Sequence, residues 1–150
     1  MISDAERICR MHKASISCLC RSHYAPEQIE AWAGPKRPEH YERLIRDLIV
    51  FVMEESDDIA GFGALDSAAA DIRALYVAPE AVGRGVGATI LDALESEARQ
   101  LAIPRLTVSA TLNSVGFYAK RGYLSKGAAD NVLPQGISLP CVRMEKMMGR

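Results

Sequence analysis

The stretch Leu75–Ala88 reads LYVAPEAVGRGVGA and holds a strand-like run, a proline, a glycine loop and the start of a helix. Alternate glycines (Gly83, Gly85 and Gly87) remove Cβ atoms that would keep a ligand away from backbone N–H groups. The following helix adds its dipole and its unpaired first-turn N–H groups. A plain tight turn is the alternative, but the flanking strand and helix favour a cradle for phosphate or pyrophosphate.

The sequence before this loop predicts three antiparallel strands joined by short polar turns. They are Leu48–Met53, Ile59–Leu65 and Asp71–Val77. The glycines within the second run indicate a bulge or a close backbone approach. Such a start contradicts the βαβ unit of a Rossmann fold, and Gly-x-Gly-x-Gly matches neither the dinucleotide fingerprint nor a P-loop.

The remaining segments complete an α+β plan in which a mixed, mostly antiparallel sheet is flanked by helices. Before the first strand, the sequence predicts helices at Ser3–Cys20 and Glu27–Ala33 and a turn at Tyr41–Ile45. After the glycine loop, it predicts a helix with apolar positions from Ile90 to Leu101 and an alternating strand at Leu106–Ala110. A short helix capped by Asn113 and ending at Gly122 follows, and then two weaker strands after Tyr123 around Pro134–Gly136. No linker or repeat divides the chain, so we expect a single domain over residues 1–150.

Charge and hydropathy exclude several function classes. With 18 basic and 19 acidic residues, the chain has no basic stripe for duplex nucleic acid, so we expect no nucleic-acid partner. Met1–Arg10 lacks an apolar signal region, and no segment approaches the roughly 18 apolar residues of a membrane span. We therefore expect a cytoplasmic protein without membrane contact.

The cysteines do not indicate a metal site. Four are present, at Cys9, Cys18, Cys20 and Cys141, and none belongs to a Cys-x-x-Cys pair. We expect reduced thiols packed in helices or a strand, and no metal.

Two motifs resemble the GNAT acetyltransferases. The family's pyrophosphate loop reads Gln/Arg-x-x-Gly-x-Gly/Ala after a strand, and Gly85 and Gly87 match its last two places, with Arg84 at an often basic place. Val82 departs, since it stands where Gln or Arg is expected. The segment Phe117-Tyr118-x-x-x-Gly122-Tyr123 is similar to the family's Phe-Tyr-x-x-x-Gly-Phe. The resemblance covers Leu48 to Leu124, about half the chain.

The resemblance implies acetyl-coenzyme A as co-substrate and assigns roles to these residues. The backbone of Leu75–Val77 would hydrogen-bond the pantetheine arm and the acetyl carbonyl, whose oxygen becomes an oxyanion during attack. Asn113 would bond the same arm or cap its helix. The implied cofactor-binding residues are Leu75, Tyr76, Val77, Val82, Gly83, Arg84, Gly85, Val86, Gly87, Ala88, Asn113 and Tyr118.

The resemblance also suggests which side chains carry protons. Tyr118 resembles the tyrosine that protonates the leaving thiolate, with a packing role as the alternative. Asp71 is the first candidate for the general base, because relatives that acetylate proteins carry a carboxylate near the start of this strand. His23 is the second, since imidazole titrates near neutral pH and the early helices line the family's acceptor groove. Trp32 is interpreted as a core anchor or a wall of the acceptor pocket.

These features predict an N-acetyltransferase that moves an acetyl group from acetyl-coenzyme A to a primary amine. The alternative is a binding module that holds acetyl-coenzyme A as a sensor and catalyses nothing; release of free thiol with amines separates the two. The acceptor is left open, as is the choice between monomer and homodimer. The family usually begins with a strand, for which Met1–Glu6 is too short and polar.

Overall fold

Within residues 3–149, which the computed structural model describes, five α-helices and six strands follow one another along the chain. The helices are α1 (Asp4–Leu19), α2 (Pro26–Ala33), α3 (Pro38–Asp47), α4 (Val86–Gln100) and α5 (Val115–Lys120). The strands are β1 (Ile49–Glu55), β2 (Asp58–Asp66), β3 (Asp71–Val77), β4 (Arg105–Thr111), β5 (Leu124–Val132) and β6 (Ser138–Met147). Two single 3-10 turns, Pro79–Ala81 and Leu112–Ser114, precede α4 and α5.

All six strands form one sheet with the order β1-β2-β3-β4-β6-β5. Every neighbouring pair is antiparallel except β3 and β4, which are parallel. The parallel pair follows from the connection, because α4 crosses over the sheet and returns the chain in the same direction. The predicted mixed, mostly antiparallel sheet with flanking helices is confirmed.

The glycines of β2 allow α4 to pack directly on the sheet. A Cβ atom on Gly63 would lie 2.6 Å from Ile90 Cγ2, and one on Gly61 would lie 2.8 Å from the Ile90 and Val86 side chains. Between them, Phe62 points to the opposite face, where its ring contacts His12 of α1. The predicted close approach at these glycines is therefore confirmed, and α1 and α4 cover opposite faces of β2.

Two local predictions need correction. The turn predicted at Tyr41–Ile45 is the ten-residue helix α3, which begins with Pro38. Asn113 does not cap α5; it lies in the preceding 3-10 turn, and Ser114 is the N-cap residue. Ser3 caps α1 by accepting a hydrogen bond from the Glu6 backbone N–H (3.2 Å).

The segment Met1–Glu6 is too short and polar for the first strand that is usual in the family. Its first two residues, Met1 and Ile2, lie outside the described residues.

The cysteines are free thiols throughout the described residues, with Cys18 exposed and the other three buried. This agrees with the expectation that they are not bridged.

Candidate active site

The loop before α4 is shaped by two left-handed glycines. Gly83 has φ 86° and Gly85, the N-cap of α4, has φ 79°. No atom lies within 4 Å of the Cβ position of either residue, so glycine is required by the backbone conformation rather than by crowding. The first helical hydrogen bond runs from the Thr89 N–H to the Gly85 carbonyl (3.0 Å), which leaves the N–H groups of residues 86–88 without helical partners. An open loop with free N–H groups at a helix N-terminus is suited to bind an anion.

Side chains around this loop are mostly committed to other contacts. The Arg84 guanidinium donates to a Glu55 carboxylate oxygen at 2.6 Å, which ties it to the end of β1. A Cβ on Gly87 would approach the Phe117 ring at 3.3 Å, so this glycine serves packing between α4 and α5. Val82 is exposed. The loop therefore offers a ligand mainly backbone groups.

The strands β3 and β4 separate soon after they meet. Their pairing is confined to Asp71 with Thr107 and Ile72 with Val108. Farther along, the β4-facing side of Leu75–Val77 has no partner strand. A cavity of about 160 Å³, here the splay cavity, opens at this divergence. It brings together eight residues of the sequence prediction and its resemblance: Leu75, Tyr76, Val77, Val82, Gly87, Asn113, Phe117 and Tyr118.

Tyr118 presents an unused hydroxyl at the splay cavity. The residue is 4% exposed, and its ring packs edge-on against Phe117 and Tyr123. No residue in the described chain forms a hydrogen bond with its hydroxyl. Burial raises the pKa of Tyr118, and the nearby charge of Asp71 raises it further. The phenol is therefore protonated at neutral pH and can donate to a ligand.

Cys20 also lines the splay cavity, and no sequence pattern indicated this. Burial raises the pKa of its thiol to about 11, and the nearby Asn113 side chain opposes this shift. The thiol is therefore protonated and packs as a small apolar group.

A second cavity of about 360 Å³, here the outer cavity, lies beside α2. Asp71 lines it and is held by three donors: Thr107 Oγ1 at 2.6 Å, Arg73 Nε at 3.1 Å and an Arg143 terminal nitrogen at 3.5 Å. Arg73 reaches this position through a β-bulge. Ala64 pairs with Ala74 while Leu65 pairs with Ile72, so Arg73 is the extra residue.

A narrow pocket of about 30 Å³ adjoins both cavities where β3 and β4 diverge. It shares Leu75 and Tyr118 with the splay cavity and Arg73 and Ser109 with the outer cavity, and Tyr76 and Thr111 line all three spaces. We call this junction of the two cavities the passage; Tyr118 is one of its lining residues.

The structure does not bring His23 to this passage. His23 is exposed in the turn after α1 and lines none of the cavities described here. Trp32 has both features expected of it: its ring is 7% exposed and packs edge-on against Tyr24 and Tyr76, and it also lines the outer cavity.

A buried histidine behind the passage was not anticipated. His12 Nδ1 lies 2.6 Å from the Tyr41 hydroxyl, and the His12 ring lies 3.9 Å from the Tyr76 ring, centroid to centroid. Within the described part of the chain, its Nε2 is the one sealed side-chain N or O atom without a partner. Burial lowers the pKa of His12 well below its ordinary value, with help from Lys36 and His40, so the imidazole is neutral. In the sequence, His12 falls between apolar positions of a helix, and no local pattern marks it.

Within residues 3–149, His, Cys, Asp and Glu side chains form no group of three or more that could hold a metal ion, and none of the helices has the length and apolar character of a membrane span.

Comparison with known proteins decides the family. The model of the acetyltransferase (GNAT) domain matches residues 20–147. The chain belongs to the GNAT acetyltransferase family. A GCN5-related N-acetyltransferase from Rhodopseudomonas palustris has 32% sequence identity and a TM-score of 0.90, over 98% of this chain and 91% of that one.

Two further relatives of this GNAT acetyltransferase are more distant. The uncharacterized N-acetyltransferase YafP of Escherichia coli (strain K12) is 26% identical over 80% of this chain and 75% of YafP. The PaiA N-acetyltransferase from Thermoplasma acidophilum, solved in complex with coenzyme A, shares the fold with a TM-score of 0.76 and 23% identity, over 96% of this chain and 92% of that one.

The family makes this GNAT protein an enzyme, an acyltransferase of the N-acetyltransferase type. Both sequence motifs lie at the splay between β3 and β4, on the loop before α4 and on α5. The family assignment leaves the acceptor undefined.

Proposed function

We propose that this GNAT enzyme transfers an acetyl group from acetyl-coenzyme A to the primary amine of a small acceptor, and that the two substrates meet in the passage. One observation carries the proposal: the cavity beside an anion-binding loop and a second cavity with a different lining adjoin at the divergence of β3 and β4. Two substrates can therefore reach one point, each from its own cavity. The coenzyme A complex of the PaiA relative supports the choice of cofactor.

The loop and β3 would bind acetyl-coenzyme A mainly through backbone groups. The free N–H groups of residues 86–88 fit a pyrophosphate, because they converge at the positive end of α4 and the loop in front of them is open. The unpaired edge of Leu75–Val77 fits an extended amide-containing arm. An N–H of this edge, close to the acetyl carbonyl, would stabilise the oxyanion.

Tyr118 would complete the transfer by donating its proton. The amine nitrogen attacks the thioester carbonyl carbon, the C–S bond breaks, and the departing thiolate takes a proton from the Tyr118 hydroxyl; the phenolate then regains a proton from solvent. Burial keeps this phenol protonated, and no protein acceptor competes for its proton. The free hydroxyl also supports an enzyme over a sensor, since a structural tyrosine this buried would ordinarily have a partner.

Asp71 is our candidate for the group that takes the amine proton. It lines the outer cavity, from which the amine would arrive. Three donors already occupy its oxygens, so an incoming ammonium has to displace one of them or share an oxygen with it. We do not assign this role to His23, which is exposed away from the passage.

The test is amine-dependent release of free thiol from acetyl-coenzyme A, with the acetylated product identified by mass spectrometry. The control without amine measures hydrolysis. We expect thiol and acetylated amine in equal amounts, and a Tyr118→Phe variant that binds acetyl-coenzyme A but releases thiol slowly. Tight binding of acetyl-coenzyme A without any amine-dependent thiol would favour the sensor.

A further inference from the structure

The outer cavity has an unusual balance of charge for a site that receives an amine. Asp71 is the carboxylate among its described lining residues, and Arg73 and Arg143 both contact it. Arg73 also pairs with Asp66 at 2.8 Å. Two guanidinium groups therefore face two carboxylates. An acceptor with several ammonium groups would find no free carboxylate for the second one, and the desolvated charge would weaken its binding.

The outer cavity is lined by residues with hydrogen-bond donors that could bind an acceptor atom of the ligand. The indole N–H of Trp32 forms no hydrogen bond with any described residue, although only 7% of the surface of Trp32 is exposed. The indole nitrogen is not sealed from solvent, and Trp32 is one of the residues that line the outer cavity. Indole is a donor only. The ligand atom that meets it must accept a hydrogen bond.

Arg73 supplies a charged donor at the same place. Its Nε binds Asp71 and one terminal nitrogen binds Asp66, yet the side chain is 48% exposed. The β-bulge holds it beside the mouth of the passage. A guanidinium in this position matches a ligand carboxylate, because the planar group can add a bond to a further anion without losing its existing pairs.

We propose that the acceptor is a small monoamine that also carries a carboxylate, in the class of the free amino acids. Its carboxylate binds Arg73 and the Trp32 N–H, and its amine enters the passage toward Tyr118. The rings of Tyr24, Trp32 and Tyr76 give one wall an apolar surface for a side chain. A zwitterion also keeps the local charge balanced. The proposal rests on the proposed function, since it names the acceptor of that same site.

In the transfer itself, the neutral amine nitrogen forms the new C–N bond and the thioester loses its C–S bond. The products are an N-acetyl amino acid and coenzyme A thiol. One proton leaves the nitrogen and one is gained by the sulfur, so no oxidant or reductant is needed.

The first test compares matched acceptors by thiol release: the free L-amino acids, the amide of each, the decarboxylated amine of each, and spermidine. We expect at least one amino acid to exceed its amide and its decarboxylated amine by roughly tenfold or more in kcat/KM, as for loss of a charged hydrogen bond. Amides as good as acids, or spermidine as the best acceptor, would overturn the inference and leave the enzyme assignment intact. Absence of turnover with every amine would overturn both.

Substitutions of Arg73 test whether this side chain causes the preference for acids over amides. Arg73→Gln should lower kcat/KM for the acid by roughly tenfold more than for the amide, and Arg73→Lys should restore part of the preference for the acid. Arg105→Gln is the matched control, because Arg105 is another half-exposed arginine of the sheet, paired with Glu145 and absent from the cavity lining. Equal loss for acids and amides in Arg73→Gln would show a structural role and defeat the proposal.

A binding measurement works without turnover. Trp32 is the single tryptophan of the chain, so its fluorescence reports on this cavity alone. We expect a saturable change when the preferred amino acid is added, and a much weaker response with its amide. Equal responses to acid and amide would contradict a carboxylate contact at the indole.

Discussion

The splay cavity and the outer cavity differ in the chemical groups that line them. The splay cavity depends on backbone: left-handed glycines, free N–H groups of α4 and the open edge of β3. The outer cavity depends on side chains from α2, β3, β4 and β6, and charged pairs fix their positions. We therefore expect cofactor binding to tolerate changes of side chain, and acceptor turnover to be sensitive to them. Substitutions at Asp71, Tyr118 and Gly85 test this difference.

The largest expected effect is on the acceptor side, at Asp71. If Asp71 takes the amine proton, Asp71→Asn should lower kcat/KM by roughly 10²–10⁴-fold, while acetyl-coenzyme A affinity stays within about twofold. Steady-state kinetics and calorimetry measure the two quantities.

The matched control for this change is Asp66→Asn, which removes the other carboxylate bound to Arg73 but lies outside the outer cavity. If both variants lose activity equally, Asp71 positions Arg73 and the proton goes to water.

At the junction of the cavities, Tyr118→Phe removes one hydroxyl and keeps the ring packing. Loss of a hydrogen bond to the leaving thiolate should cost about 2–4 kcal/mol in the transition state, or roughly 30- to 1000-fold in kcat. Cofactor affinity and melting temperature should stay close to those of the parent enzyme. A kcat within about twofold of the parent, or a large fall in melting temperature, would make Tyr118 a packing residue.

On the cofactor side, Gly85→Val should weaken acetyl-coenzyme A binding by roughly tenfold or more, about 1.4 kcal/mol, because a β-branched residue resists the left-handed conformation that points the loop N–H groups outward. Val82→Ala changes an exposed side chain of the same loop and should alter affinity by less than about threefold. Calorimetry on the folded variants measures their affinity for acetyl-coenzyme A. Similar losses in both variants would mean that loop side chains, and not its backbone, hold the cofactor.

The smallest effect concerns His12, behind the passage. Burial lowers the pKa of His12 in the folded protein. Below about pH 6.5, His12 is therefore protonated in the unfolded chain and still neutral in the folded one. The stabilisation that neutral His12 contributes to the folded state is fully present above about pH 6.5. As the pH falls below that value, the free energy of unfolding decreases by up to about 1.4 kcal/mol per pH unit. Denaturant unfolding of the parent and His12→Asn between pH 7.5 and 5 should show a shallower loss in the variant. Parallel curves would contradict a neutral, buried His12.

Sequence reasoning succeeded where the information is local. The glycine loop, the strand before it and the Tyr118 segment each occupy a few consecutive residues, and their conformational demands are visible in the residue types themselves. It failed at Asn113, because a capping residue and a residue of a preceding 3-10 turn differ by one position, and sequence patterns place helix ends no better than that.

The sequence by itself determined the fold class, the loop and the tyrosine, because glycine spacing and hydrophobic periodicity act over a single turn or strand. Only the tertiary structure decided that Asp71 is shared by Arg73 and Arg143, that Trp32 leaves its N–H open to a cavity, and that His23 stands apart from the passage. These facts depend on strand register, on one β-bulge and on the packing of α2 against β6 residues more than a hundred positions away. The physical reason is that long-range packing energies fix such neighbours, and no short segment of the chain contains them.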